Sequence, residues 1–195
     1  MNLIRGFVVS LLLVGMVIQS NASTVNLTVT FSEVGSNVVA TFSGSIDLTN
    51  FSPQSPSSAE ATPYFDAASG FFQSANSSAL TYSRDTWPNR GWIGLVPFGT
   101  GNLHGDSRTG DEAGWSAGYS MQYLYVSPGY ISNSPLSGTA TWNSATLSSL
   151  GITQGTYFET VGNNTFKIEA VPEPSALSLL VVGLGGLAVM RRKRS

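Results

Sequence analysis

The segment TVNLTVTF, at Thr24–Phe31, alternates polar and apolar residues along its whole length. Its odd-numbered positions from Val25 to Phe31 are apolar, and in an extended chain they point to one side. This period of two residues indicates a β-strand with one buried face. Turn-forming residues follow, and VVATFSGSIDL at Val38–Leu48 resumes the extended pattern. The two segments therefore predict an antiparallel hairpin.

Further segments of this kind recur downstream, separated by glycine, proline, serine and asparagine. They are GWIGLVPF (Gly91–Phe98), YSMQYLYV (Tyr119–Val126), LSGTATW (Leu136–Trp142), TYFETV (Thr156–Val161) and NTFKIEA (Asn164–Ala170). Pro53–Pro63 is predicted to be a loop, and Asn143–Gly151 a short helical turn capped by Asn143 or Ser144 and ended by Gly151. About seven or eight short strands predict an all-β fold, an antiparallel, jelly-roll-like β-sandwich.

Residues 1–22 have the three parts of a secretory signal peptide. Arg5 gives a basic start, Gly6–Gln19 is almost wholly apolar, and a small residue, Ala22, precedes Ser23 at the expected cleavage site. The alternative is a retained membrane helix, but the apolar core is short of the roughly 20 residues that a span needs. Removal of this segment predicts an exported protein.

A second apolar run, Ala176–Met190, contains no charged residue and is followed at once by a basic cluster. The cluster consists of Arg191, Arg192, Lys193 and Arg194. The alternative, a buried C-terminal helix, would carry four cations toward the core. The pattern instead predicts one C-terminal transmembrane helix over 176–190, with the cations on the cytoplasmic side.

The sequence VPEPS, at 171–175, stands directly before this run. Its prolines fix φ and restrain the residues that precede them, so the segment is held extended. Together with the apolar run and the basic end, Val171, Pro172, Glu173 and Pro174 resemble the PEP-CTERM sorting signal of bacterial exosortase substrates. The resemblance implies a membrane-anchored intermediate, recognition by an exosortase-type transpeptidase, and removal of the tail near Pro172–Pro174. The resemblance also implies delivery to the cell surface or the extracellular matrix.

The chain thus divides into a signal peptide at 1–22, a β-sandwich domain at 23–170 and a sorting signal at 171–195. The sorting signal comprises the motif at 171–175, the transmembrane helix at 176–190 and the basic tail at 191–195. The middle part is one domain in length and long enough to bury a core.

Composition limits what this domain does. Between the two ends, the domain contains four Lys and Arg residues and ten Asp and Glu residues. It is therefore acidic and lacks the basic footprint of a nucleic-acid-binding protein. The chain has no cysteine, which excludes disulfides and thiolate metal sites. Only 10% of its residues are charged, and serine, threonine, glycine and asparagine are abundant, as in many secreted β-proteins.

One polar segment, Gly99–Gly114, is predicted to be a glycine-rich loop with candidate chemistry. Its carboxylates are Asp106, Asp111 and Glu112, which would offer oxygen ligands to Ca²⁺, and His104 with Asp106 would form an acid–base pair. The spacing departs from the calcium-loop pattern, and a lone histidine in such a loop is more often solvated. We therefore expect no cofactor and no catalytic site.

Aromatic residues concentrate between positions 87 and 130, and exposed rings are how many glycan-binding modules stack sugars. The candidates for stacking are Trp87, Trp92 and Trp115. Tyr119, Tyr123 and Tyr125 share one face of a predicted strand, and we expect this face to belong to the core.

These observations predict an exported, non-enzymatic protein of the cell surface or extracellular matrix. Its expected partners are an exosortase-type processing enzyme, the membrane through the C-terminal helix, and extracellular polysaccharide, but no nucleic acid. The alternative is a glycan-binding module that uses exposed aromatic residues, and an enzyme ranks third.

Overall fold

The computed structural model describes residues 25–54, 62–74, 79–85, 95–118 and 121–172. These residues form thirteen β-strands and no helix. The strands are β1 (Leu27–Val34), β2 (Asn37–Gly44), β3 (Ser52–Pro53), β4 (Tyr64–Asp66), β5 (Phe71–Gln73), β6 (Leu80–Asp85), β7 (Asn102–His104), β8 (Ser107–Gly110), β9 (Ala113–Gly118), β10 (Met121–Val126), β11 (Leu136–Trp142), β12 (Gly155–Val161) and β13 (Asn164–Val171).

The strands form two sheets. The six-stranded sheet has the order β12-β13-β1-β2-β11-β8, and the seven-stranded sheet has the order β3-β6-β10-β9-β5-β4-β7. The predicted hairpin is confirmed, since β1 pairs antiparallel with β2 from Leu27 opposite Gly44 to Val34 opposite Asn37. The predicted all-β fold with largely antiparallel sheets is also confirmed. One pair departs from the antiparallel rule, because β1 and β13 run parallel.

The two sheets share one apolar core. The alternating apolar residues of β1 face inward, and Phe31 packs against rings of the other sheet, 5.9 Å from Phe65 and 5.8 Å from Phe72 between centroids. Trp115 on β9 stacks on Phe166 of β13 at 4.4 Å. Aromatic contacts of this geometry add to the stability gained from area burial alone.

Two predicted elements differ from the described structure. The predicted strand Gly91–Phe98 is irregular over its described part, Leu95–Phe98, since Pro97 has no amide hydrogen and the Phe98 amide bonds instead to the Ala67 carbonyl at 2.9 Å. The predicted loop Gly99–Gly114 contains β7, β8 and the start of β9. Its glycines permit close approach of backbones, and Gly99 forms an isolated bridge with Ile152.

A single turn is present within Asn143–Gly151, but it starts later than predicted. The Thr146 hydroxyl accepts a hydrogen bond from the Ser149 amide at 3.0 Å, and the Leu150 amide donates one to the Thr146 carbonyl at 3.0 Å. Gly151 ends the turn with a φ of 65°, as predicted. Ser144 does not cap it, because the hydroxyl that accepts the Ser149 amide belongs to Thr146. The Ser144 amide donates to Asn37 Oδ1 at 3.0 Å.

Candidate functional site

The last strand carries the chain directly to the predicted sorting motif. In β13, Ala170 pairs with Gly155 on one side and Phe31 on the other, and Val171 still pairs with Ser32. Pro172 has no amide hydrogen to extend this ladder, so the sheet ends there. Val171 is therefore both the last residue of the sheet and the first residue of VPEPS, one residue beyond the predicted domain boundary.

The residues around this point form a fixed surface, which we call the tail-exit end and define as 33–37, 143–155 and 170–172. Three hydrogen bonds hold the loop after β11 against the turn between β1 and β2. The Leu147 amide donates to Glu33 Oε1 at 2.8 Å, the Ala145 amide to the Ser36 carbonyl at 3.0 Å, and the Ser144 amide to the Asn37 side chain.

An open groove of about 410 Å³ lies in this end. It is lined by Ser36, Ser144, Ala145, Thr146 and Ser149. Val34, two residues before Ser36, is 54% exposed at the end of β1, and Val171 is 43% exposed at the end of the adjacent strand β13. Glu33 is the only ionisable residue of the tail-exit end, and it is engaged with the Leu147 amide.

Of the predicted sorting and processing residues, the structure describes Val171 and Pro172. The others lie outside the described residues: Glu173, Pro174, the span 176–190, the cluster Arg191, Arg192, Lys193 and Arg194, and the cleavage pair Ala22 and Ser23. Within the described ranges, no segment forms a helix with the length and hydropathy that a membrane span requires.

The structure does not bring together the three carboxylates considered as calcium ligands. Asp106 Oδ2 accepts the Asn143 amide at 2.7 Å, and Asp111 Oδ2 accepts the Ser137 amide at 2.8 Å. Glu112 Oε1 instead pairs with Arg108 at 2.9 Å. The carboxylates close separate turns rather than one cage, and the described part of the chain holds no group of three His, Asp or Glu residues that could bind a metal ion.

His104 does not form the acid–base pair considered with Asp106. Its Nδ1 lies 3.2 Å from the Thr62 hydroxyl, and its ring lies 4.8 Å from that of Tyr64. No hydrogen bond joins His104 to Asp106 among the residues that the structure covers.

The tryptophan predicted to stack on glycans at position 115 is not available for that role. Trp115 is 0% exposed, stacks on Phe166, and donates its indole N–H to the Gly70 carbonyl at 3.1 Å. It lies on the inward face of β9, opposite Leu124 of β10. Trp87 and Trp92 lie outside the described residues.

The tyrosine face of β10 was predicted to be core and is instead the outer face. Leu124 and Val126 point inward, whereas Tyr123 and Tyr125 are half-buried on the other side. Since side chains alternate, the pairing of Leu124 with buried Trp115 fixes this orientation. Tyr119 lies outside the described residues.

Tyr125 belongs to a set of rings that crosses the outer face of the seven-stranded sheet. It lies 6.1 Å from Phe71 of β5, and Phe71 lies 5.1 Å from Tyr64 of β4. His104 of β7 continues the row beyond Tyr64. We call Tyr64, Phe71, His104 and Tyr125 the outer aromatic strip. Sequence reasoning missed Tyr64 and Phe71, because strands of three residues give no readable period.

One buried carboxyl was also missed. Glu159 is 4% exposed, at an inward position of β12 opposite Phe166, and accepts a hydrogen bond from the Val96 amide. Burial raises the pKa of Glu159 from 4.5 to about 7, although the Val96 and Thr160 amides act to lower it. The signal was present in TYFETV, where Glu159 shares a face with Tyr157 and Val161.

Comparison with known proteins assigns only the end of the chain. No curated protein and no solved structure is significantly similar to it. Residues 170–194 match the family described as the PEP-CTERM protein-sorting motif. The match begins inside β13, at Ala170, and covers VPEPS, the apolar run and the basic cluster. These residues confirm that the end of the chain carries the PEP-CTERM sorting motif, which the sequence predicted from its resemblance to exosortase substrates.

Proposed function

We propose that this is an exported, non-enzymatic protein of the cell surface or extracellular matrix, whose tail is removed by an exosortase-type transpeptidase. The observation that carries the proposal is the sorting motif, which begins within the last strand of the sandwich. Sandwich and signal are continuous, so the domain is the cargo of the signal. A membrane-anchored intermediate precedes release.

The outer face of the six-stranded sheet supports association with exopolysaccharide. One row of directly paired residues crosses all six strands and is composed of Thr156, Glu169, Thr30, Thr41, Thr139 and Thr109. Lys167 neutralises Glu169 at 2.6 Å. The face therefore offers hydroxyl groups with little net charge, a surface compatible with a hydrated, polyhydroxylated matrix.

Mass spectrometry of chain recovered from the cell surface tests the processing. We expect an N-terminus near Ser23 and a C-terminus near Pro172–Pro174. Extracellular protein with an intact Arg191–Ser195 end would contradict the proposal. Co-purification with isolated exopolysaccharide tests the destination, and recovery only in the polysaccharide-free fraction would count against it.

A glycan-binding module is the second candidate, and the outer aromatic strip is the observation that favours it. Its rings are half-buried or exposed, aligned across β7, β4, β5 and β10, and placed on a face away from the core. We expect Tyr64→Ser with Phe71→Ser to abolish retention on polysaccharide. Phe158→Ser, an exposed ring on the other sheet, is the matched control. Equal retention of both variants would remove this candidate.

A further inference from the structure

We propose that the tail-exit end is a docking surface for the enzyme that processes the sorting motif. The inference rests on the proposed function, because it takes the exosortase-type transpeptidase as the partner. It adds that the enzyme recognises folded cargo through the β1–β2 turn, Val34 and the groove beside them, as well as the PEP-CTERM peptide.

The length of the connecting chain forces this contact. Val171 is still hydrogen-bonded within the sheet, and the apolar run starts at Ala176. Fully extended, five residues span at most about 17 Å. The enzyme that binds Pro172–Pro174 at the membrane surface therefore meets the end of the sandwich, because no linker separates the two.

The surface has the features of a preformed contact. The loop at 143–149 is fixed to the β1–β2 turn by the bonds from Leu147 and Ala145, so little order must be gained on binding. The groove provides a concave area with hydroxyl groups, and Val34 provides an exposed apolar side chain in the same hairpin, two residues before Ser36 of the groove lining.

Charge favours a protein partner over lipid. The tail-exit end contains no Lys or Arg, and its one ionisable residue is the acidic Glu33. Anionic bilayer surfaces attract clusters of basic residues, which this end lacks. The exposed apolar area comprises two valines among hydroxyl-bearing residues, too little for an interfacial anchor.

The test uses the full chain in cells that contain the processing enzyme, with the rate of tail removal as the readout. Val34→Asp places a charge on the proposed contact. Ile131→Asp is the matched control, since Ile131 is 73% exposed near Ile46, at the opposite end of the six-stranded sheet. Each variant is also made with a flexible Gly/Ser linker of about ten residues between Val171 and Pro172.

We expect Val34→Asp to slow tail removal about tenfold, as a loss of about 1.4 kcal/mol of contact would. Ile131→Asp should leave the rate unchanged. In the linker background, Val34→Asp and its parent should be processed at equal rates, because the sandwich is no longer held against the enzyme. This is the coupling that a double-mutant cycle measures.

Equal rates for Val34→Asp and Ile131→Asp without the linker would overturn the inference, as would an equal slowing by Val34→Asp in both backgrounds. Co-sedimentation with phosphatidylglycerol vesicles is tested on a chain ending at Pro172, which retains all thirteen strands. Binding that Val34→Asp abolishes would assign the surface to lipid and overturn it as well. Failure of the parent chain to be shortened at all would instead refute the proposed function.

Discussion

Glu159 makes the stability of the sandwich depend on pH in a direction opposite to that of most carboxyl groups. Its pKa is about 7 in the folded chain and close to its ordinary 4.5 when the chain unfolds. The folded state therefore holds a proton that the unfolded state has lost between these values. The contribution of Glu159 to stability is full below about pH 4.5, falls as the pH rises through about 7, and is constant above that.

The two pKa values set the size of the effect. The difference between 4.5 and about 7, at about 1.4 kcal/mol per pKa unit, gives a loss of about 3 kcal/mol in the free energy of unfolding. Glu159→Gln removes the charge and keeps an oxygen for the Val96 amide. We expect this variant to be about as stable as the parent near pH 5 and up to about 3 kcal/mol more stable near pH 8.5.

Urea unfolding of the chain from Ser23 to Pro172, at both pH values, measures this difference. Glu169→Gln is the matched control, because Glu169 faces outward on the adjacent strand β13. The control should keep the pH dependence of the parent. A parent equally stable at both pH values, or a Glu159→Gln variant that still loses stability on the alkaline side, would refute the argument.

Three further predictions concern stability, each read by urea unfolding. Hydrogen bonds from Thr49 lower the pKa of Asp47. The stability that Asp47 contributes is therefore present above about pH 3.8 and is lost as the pH falls through its lower folded pKa. Asp47→Asn should weaken the chain at neutral pH and not at about pH 2. Trp115→Ala should cost about 3–5 kcal/mol, and an unchanged midpoint would contradict its burial. Gly101→Ala should cost about 1–3 kcal/mol, because a Cβ would collide with the Leu150 carbonyl; a neutral result would contradict that close approach.

Long alternating segments were the predictable part of the fold. β1, β11, β12 and β13 lie where the sequence placed them, because six or more residues with period two leave few alternatives. β4, β5 and β7 have three residues each, and no period can be read from so few. The aromatic strip was therefore invisible, as it consists of side chains from these short strands and β10.

The register of the strands and the choice of neighbouring strands could not be predicted from the sequence, for a different reason. The burial of Trp115 and the outward position of Tyr125 both follow from which residue of β9 meets which residue of β10. A shift by one residue would exchange the two faces without changing the pattern of either strand. The sorting motif, in contrast, is contiguous and needs no tertiary partner to be recognised. Its attachment to a central strand became visible only in the sheet order.

The parallel contact between β1 and β13 has a consequence for the timing of export. It joins residues 139 positions apart, and β13 lies between β12 and β1 rather than at an edge. The six-stranded sheet thus cannot close before the final strand has been synthesised and translocated, since contacts so distant form only after the intervening chain is available. Completion of the six-stranded sheet therefore coincides with synthesis of the sorting motif, which begins within this strand.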